Sequence, residues 1–231
     1  MSDRALPRQL SLALGHRQSF DRADFLCGKG NEVALARIER WTEWPGRSLA
    51  LIGPEGSGKS HLTAIWADAA GARVISGRAL DSGSVPRALA TGALAVEDPD
   101  RCRLDEAALF HLLNLAREQG AWLLVTARRP PSAWPVRLPD LASRLRALPV
   151  VTIEPPDDAL FAAVLVKLFA DRQIAVDERV IEFLTSRIER SVAAAQAAVA
   201  ALDGEALRLK RRVSRSLAAE VLRGRGADGA P

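Results

Sequence analysis

The chain is short of cysteine, of histidine and of long hydrophobic runs, and each shortage excludes a class of protein. Its two cysteines, Cys27 and Cys102, lie in no CxxC pair, which argues against a disulfide framework or a zinc knuckle. His16, His61 and His111 show no metal-ligand spacing. The longest largely apolar stretch, Ser191 to Leu202, is about half of what a membrane span needs, and Arg190 and Asp203 bracket it. The first residues hold an apolar patch too short for a signal-peptide core, with no small-residue cleavage site after it. One-sided charge is missing too. Thirty-two Lys+Arg against 28 Asp+Glu leave a formal +4, compatible with nucleic acid or an acidic partner but demanding neither. What remains is a globular chain of 231 residues, 48% hydrophobic and 26% charged, expected in a reducing cytoplasmic compartment without a membrane partner.

The pattern along the chain predicts two architectures. A helix is expected from Asn31 to Trp44 with Asn31 as its N-cap, ended by Pro45-Gly46. Short apolar strands follow at Ser48–Ile52, Arg73–Ile75, Ala93–Glu97, Trp122–Thr126 and Val150–Ile153, alternating with helices at Lys59–Ala70 and Asp105–Gln119. Such alternation indicates an α/β fold, a parallel sheet covered on both faces. Pro155-Pro156 breaks the rhythm. Beyond it only helices are expected, at Asp157–Arg172, Asp177–Glu189, Ser191–Leu202 and Glu205–Leu222, the last with a break near Val213. The predicted division is an extended arm over residues 1–18, an αβα domain over 19–155, a helical domain over 156–223 and a disordered tail over 224–231.

The strongest motif is Gly53-Pro54-Glu55-Gly56-Ser57-Gly58-Lys59-Ser60, a full GxxxxGK[ST] match between a predicted strand and a predicted helix. Glycines let successive backbone N–H groups converge on phosphate without Cβ clashes. Lys59 supplies a point charge for the β/γ-phosphates, the Ser60 hydroxyl reaches Mg²⁺, and the helix beginning at Lys59 aims its positive end at the same anion. The expected nucleotide-binding stretch runs on to His61, whose side chain is read as packing in the first helical turn. At the end of the third strand Glu97 and Asp98 place two carboxylates at the sheet edge, suited to hold Mg²⁺ through water and to orient an attacking water. An ordinary acidic turn beside Pro99 and Asp100 is the competing reading of those two residues.

With these features assembled, the chain resembles AAA+ ATPases of the DnaA initiator group, and within it the Hda-type regulatory inactivators of DnaA. Phe20-Asp21 followed by Gly28, Asn31 and Ala34 is similar to the lead-in of that family's phosphate loop, and GKSHL at 58–62 is similar to its GKTHL. Thr126 to Pro131 occupies the sensor I region, and Leu138 to Leu145, LPDLASRL, matches the Hda box VII stretch. The arm carries Gln9-Leu10-Ser11-Leu12-Ala13-Leu14, similar to the peptide with which Hda proteins bind the DNA polymerase sliding clamp. In an extended chain Leu10, Leu12 and Leu14 project alike, so an apolar groove could take them while Gln9 bonds its rim.

The resemblance implies a five-stranded AAA+ sandwich followed by a helical lid, ADP or ATP with Mg²⁺ as cofactors, and the sliding clamp and DnaA as partners. DNA would be reached only indirectly, in the nucleoid, and a homo-oligomer is compatible. It makes Gln9, Leu10, Ser11, Leu12 and Leu14 the clamp-binding residues. It makes Arg144 an arginine finger acting in trans on the initiator's ATP, with Glu97 and Asp98 at the catalytic strand end and Ser60 and Asp98 at Mg²⁺. The implied function is negative regulation of replication initiation by stimulating ATP hydrolysis on DnaA. Three departures from the family pattern stand out: Glu97 where Asp is usual, Arg128 in place of the sensor I Asp, and Ala193 in place of the sensor II arginine, with Arg187 and Arg190 out of register. They imply nucleotide binding, of ADP by preference, with little autonomous turnover. The competing readings are an autonomous ATP-driven loader that grips DNA through Arg208, Lys210, Arg211, Arg212 and Arg215, and a degenerate scaffold that binds no nucleotide. The short tail after the lid leaves no room for a helix-turn-helix domain, which favours a regulator over an initiator.

Overall fold

The computed structural model describes residues 20–227, with side chains through Gly224. Gln9, Leu10, Ser11, Leu12 and Leu14 lie outside the described residues. Helix α1 (Glu32–Glu39) leads into strand β1 (Ser48–Ile52), followed by α2 (Lys59–Ala70), β2 (Arg73–Ser76), α3 (Val85–Ala88) and β3 (Ala93–Glu97). Helix α4 (Glu106–Gln119), β4 (Trp122–Ala127), α5 (Pro139–Ala147) and β5 (Val150–Thr152) complete the first layer set. The strands form one parallel five-stranded sheet in the order β2-β3-β4-β1-β5.

Period-two alternation explains why the strands read as continuous apolar runs. Leu49 and Leu51 of β1 face one layer, where Leu62 and Trp66 of α2 are completely buried. Ala50 and Ile52 face the other layer, against Leu109 and Leu112 of α4. Both faces of the central strands β1, β3 and β4 are covered, so these strands stay apolar until near their ends, whereas the edge strands β2 and β5 are largely exposed. The strand order places β4 between β1 and β3. The loops leaving the C-terminal ends of these three strands therefore lie side by side, where open α/β sheets place their ligands.

Beyond the double proline, α6 (Asp158–Asp171), α7 (Glu178–Thr185), α8 (Val192–Leu209) and α9 (Arg215–Ala227) pack around Phe161, Leu165, Phe169, Leu184, Val199 and Leu217. All four starts are capped by side chains: Asp157, Asp177, Ser191 and Ser214 accept from the backbone N–H groups of Leu160, Val180, Ala194 and Leu217.

Several expected boundaries move. Asn31 occupies the N-cap position of α1, but its side chain turns back to the preceding loop: Oδ1 accepts from the Gly28 N–H at 2.8 Å and Nδ2 donates to the Leu26 carbonyl at 3.0 Å. Helix α1 stops at Glu39 and gives way to a 3-10 turn at Trp41–Glu43, which lets Trp44 reach the core and donate from its indole nitrogen to the Arg37 carbonyl. Helix α7 ends at Thr185, short of the expected Glu189. The separation expected at Asp203-Gly204 does not exist, because α8 runs through both residues. A lone glycine costs a helix about 1 kcal/mol, less than the burial of Leu202, Ala206 and Leu209 in the lid core returns. The break expected near Val213 is present: the chain leaves the helix at Lys210–Ser214, with Val213 buried in the gap. Helix α9 continues to Ala227, so the tail expected from Gly224 is helical over its first residues.

Candidate functional site

The phosphate-loop residues and the strand ends line a cleft of about 960 Å³ between sheet and lid. Helix α2 begins at Lys59, directly after Gly58 in the left-handed conformation (φ +99°), which glycine adopts without steric cost. The α2 N-terminus thus faces the loop interior, ready for an anion. Lys59 is 8% exposed, and its ammonium donates to the Gly53 and Pro54 carbonyls, both at 2.8 Å. Burial holds its pKa below the usual lysine value; Asp98 pulls it back up and Arg128 pushes it down. Ser60 is exposed toward the cleft. Ser57 is buried, and its hydroxyl has no hydrogen-bond partner.

The two strand-end carboxylates part company. Asp98 lines the cleft, in a left-handed conformation (φ +50°) that side-chain-bearing residues rarely adopt. Its N–H donates to the Thr126 carbonyl at 3.0 Å, and its Oδ1 is buried without a partner. Glu97 stays within β3, paired in register with Thr126, and is not among the cleft-lining residues.

Asp100, which the sequence presents only as a turn residue, braces the cleft wall from behind and is not itself among the cleft-lining residues. Its Oδ2 accepts from the backbone N–H groups of Arg128 and Arg129 at 3.0 and 3.2 Å, tying the β3 and β4 loops together, while its Oδ1 is buried and unpaired. Unpaired buried carboxylate oxygens are costly. The Asp98 oxygens and the Ser60 hydroxyl, both on the cleft lining, are hard donors suited to Mg²⁺. Among the described residues no group of three or more metal-ligating side chains occurs, so a cation here needs phosphate oxygens and water as further ligands.

On the other wall Phe20, Phe25, Leu26 and Asn31 line the cleft. His61 fills the gap between wall and loop: its ring meets Phe20 and Phe25 edge-on at 5.4 and 5.2 Å, and Nε2 contacts the Asp21 carbonyl at 2.9 Å. The lid closes the third side. The first N–H of α8, on Val192, donates to the Gly56 carbonyl at 2.8 Å. Gly56 has φ +70°, and a Cβ there would lie 2.8 Å from both the Cβ and the N of Ala193. Gly56→Ala is expected to cost about 1–2 kcal/mol from left-handed strain alone and to push the lid off the loop. Thermal denaturation and nucleotide titration check this; an unchanged melting temperature with unchanged affinity contradicts the contact.

Arg144 is absent from the cleft. It sits on α5 with its guanidinium carbon 5.6 Å from the Phe110 ring centroid, a cation–π contact that holds it on the outer surface of α4. Arg128, at the sensor I position, forms an ion pair with Glu55 of the loop. The basic cluster lies at the lid edge, where Arg187 and Arg215 each stand 5.4 Å from the Phe183 ring centroid. No helix among the described residues is long and apolar enough to cross a membrane.

No family model matches the chain. Over 236 aligned positions it is 26% identical to the chromosomal replication initiator protein DnaA of Cutibacterium acnes, a match that takes in 91% of this chain and 47% of that protein. The chain thus spans about half the length of the curated relative it matches. Domain III of DnaA from Thermotoga maritima superimposes with a TM-score of 0.73 at 19% identity, over 89% of this chain and 96% of that one. A replication initiator DnaA bound to AMPPCP and single-stranded DNA superimposes with a TM-score of 0.65 at 17% identity, over 81% of this chain and 67% of that chain. The sequence match and the shared architecture agree: the chain is similar to the DnaA replication initiators over about half of their length, and it has the AAA+ fold seen in DnaA domain III.

Proposed function

We propose that this protein is a nucleotide-bound AAA+ regulator that inactivates the replication initiator DnaA while tethered to the DNA polymerase sliding clamp. Gln9, Leu10, Ser11, Leu12 and Leu14 dock on the clamp. Residues 53–60 would hold the phosphates of ADP or ATP in the cleft, and Ser60 and Asp98 would hold a Mg²⁺ that offsets the phosphate charge. Residues 19–155 form the nucleotide domain and 156–223 the lid, whose relative orientation the nucleotide holds. Arg144 then reaches ATP on the initiator and supports its hydrolysis, so the ATP consumed belongs to the partner.

One observation carries this reading. The phosphate cradle is complete, yet the position where the family places its lid arginine is Ala193, packed directly on Gly56. Arg144, the remaining candidate finger, is turned away from its own cleft. Such an arrangement is suited to hold nucleotide, lacks the lid arginine, and keeps Arg144 out of its own cleft. Hydrolysis of ATP by the purified protein alone, then with initiator, clamp and DNA, tests it. Little hydrolysis alone and strong stimulation of the initiator are expected; strong hydrolysis alone sinks the reading. Loss of clamp recovery in Gln9→Ala and Leu12→Ala pull-downs is expected from the arm.

The lid edge favours a second reading, direct contact with DNA. Arg208 is neutralised by Glu205, but Arg187 and Arg215 flank Phe183 and Lys210, Arg211 and Arg212 are exposed beside them. Replacing Arg211 and Arg212 by Ala is expected to reduce the slope of log affinity for DNA against log salt by about 2. An unchanged slope, or no DNA binding by the wild type, removes this reading.

A further inference from the structure

Three loops that the chain separates widely bring two arginines and one glutamate to the mouth of the cleft. Glu55 comes from the phosphate loop after β1, Arg101 from the segment after β3 and Arg128 from the end of β4. The Glu55 carboxylate pairs with the Arg128 guanidinium through one oxygen and lies 3.8 Å from Arg101 through the other. All three residues line the cleft that holds the Lys59 ammonium. Arg128 does not reach in from a free loop, because its backbone is pinned by Asp100. Its charge acts on Lys59 together with those of Asp98, Asp100 and Glu55.

A carboxylate between two guanidiniums occupies the geometry that a phosphoryl group prefers, since the planar fork of arginine binds either anion through paired N–H groups. Two positive groups share one negative charge, so the cluster retains an unmet preference for an anion richer in charge.

We propose that Arg101 and Arg128 form a subsite for the terminal phosphoryl group of a nucleoside triphosphate, and that Glu55 is its built-in competitor. The proposal rests on the reading of the cleft as a nucleotide site. A triphosphate displaces the Glu55 carboxylate from the arginines, whereas a diphosphate is too short to do so and leaves the bridge in place. The new phosphate–arginine bonds are offset by loss of the Glu55 bridge, so the wild-type protein separates triphosphate from diphosphate weakly. Glu55 thereby supports occupancy by either nucleotide, and its release from Arg128 reports which one is bound.

Equilibrium titration of the full chain with ATP and with ADP, in the presence of Mg²⁺, tests the subsite in the wild type, Glu55→Gln, Arg128→Ala and the double variant. Glu55→Gln is expected to tighten ATP about tenfold, the scale of one charge-assisted hydrogen bond, and ADP about twofold or less. Arg128→Ala weakens ATP and spares ADP, and in its background Glu55→Gln yields no gain. Equal tightening of both nucleotides by Glu55→Gln overturns the proposal, because it reveals general repulsion of phosphate and no terminal subsite. A gain for ATP that survives in the double variant overturns it as well. Binding of both nucleotides with an unaltered ATP-to-ADP ratio in every variant removes the subsite alone. Binding of neither nucleotide to the wild type removes the nucleotide reading, and the subsite with it.

Discussion

Arg144→Ala is expected to lower the initiator's stimulated ATP hydrolysis by about 10³-fold or more, the range in which trans-acting arginines contribute to phosphoryl transfer. The residue carries charge to a transition state that it does not otherwise shape. It sits on α5, outside its own cleft, so the variant should bind nucleotide as the wild type does. Its contact with Phe110 is a partly exposed cation–π pair worth about 0.5–1 kcal/mol, and losing it leaves the fold intact. The measurement is phosphate release by the initiator at saturating regulator, clamp and DNA. Arg144→Lys keeps the charge and loses the fork, and it is expected to fall between wild type and Ala. Full stimulation by the Arg144→Ala protein would return Arg144 to an ordinary helix-face residue and transfer the search to Arg146 and Arg137, the other arginines of that segment.

Trp66→Ala is expected to cost about 3–5 kcal/mol of stability, the usual penalty for deleting a large buried aromatic. Trp66 is completely buried in α2 and stacks on Trp44, with ring centroids 5.3 Å apart. Trp44 and Trp41 both meet Trp122 edge-on, so four tryptophans form one cluster on the α2 face of the sheet. At about 2–4 °C per kcal/mol for a chain of this size, the melting temperature should fall by roughly 10 °C. Trp66→Phe should cost less than half as much. It keeps a ring in the cluster and removes an indole N–H that is buried without a partner. Thermal unfolding followed by tryptophan fluorescence reads both variants, and equal losses for Phe and Ala would contradict the packing account. Because α2 starts at Lys59, the Ala variant should also bind nucleotide more weakly than its stability loss alone requires.

The parts of the fold that are legible in the sequence are those that short stretches decide. Strands β1 and β3 begin and end where the apolar runs do, and α2 covers the predicted span, because each is bounded by glycine, proline or charge within a few residues. The GxxxxGK[ST] stretch is contiguous, so its place between strand and helix can be read directly. Asp100 escapes that reading because Asp98-Pro99-Asp100 looks like any acidic turn; its use becomes visible only where its carboxylate meets the Arg128 and Arg129 N–H groups. Asn31 is a good N-cap by residue type, but the loop at Leu26 and Gly28 offers its side chain two bonds where the cap offers one. Asp203-Gly204 punctuates a sequence and fails to punctuate a helix whose buried face continues past it.

Local sequence by itself determines a sheet-and-helix domain, a glycine-rich turn with Lys59 and an acidic strand end beside it, and a helical region after the double proline. These follow from periodicity, backbone freedom and residue spacing, which act over one element or its neighbours. Tertiary structure alone decides that Asp98 and not Glu97 lines the cleft, and that Ala193 meets Gly56. It alone joins Glu55 to Arg101 and Arg128 and sets Arg144 on an outer face. The reason is the strand order. Placing β4 between β1 and β3 brings together loops far apart in the chain, and no rule of local spacing encodes which of their side chains will meet.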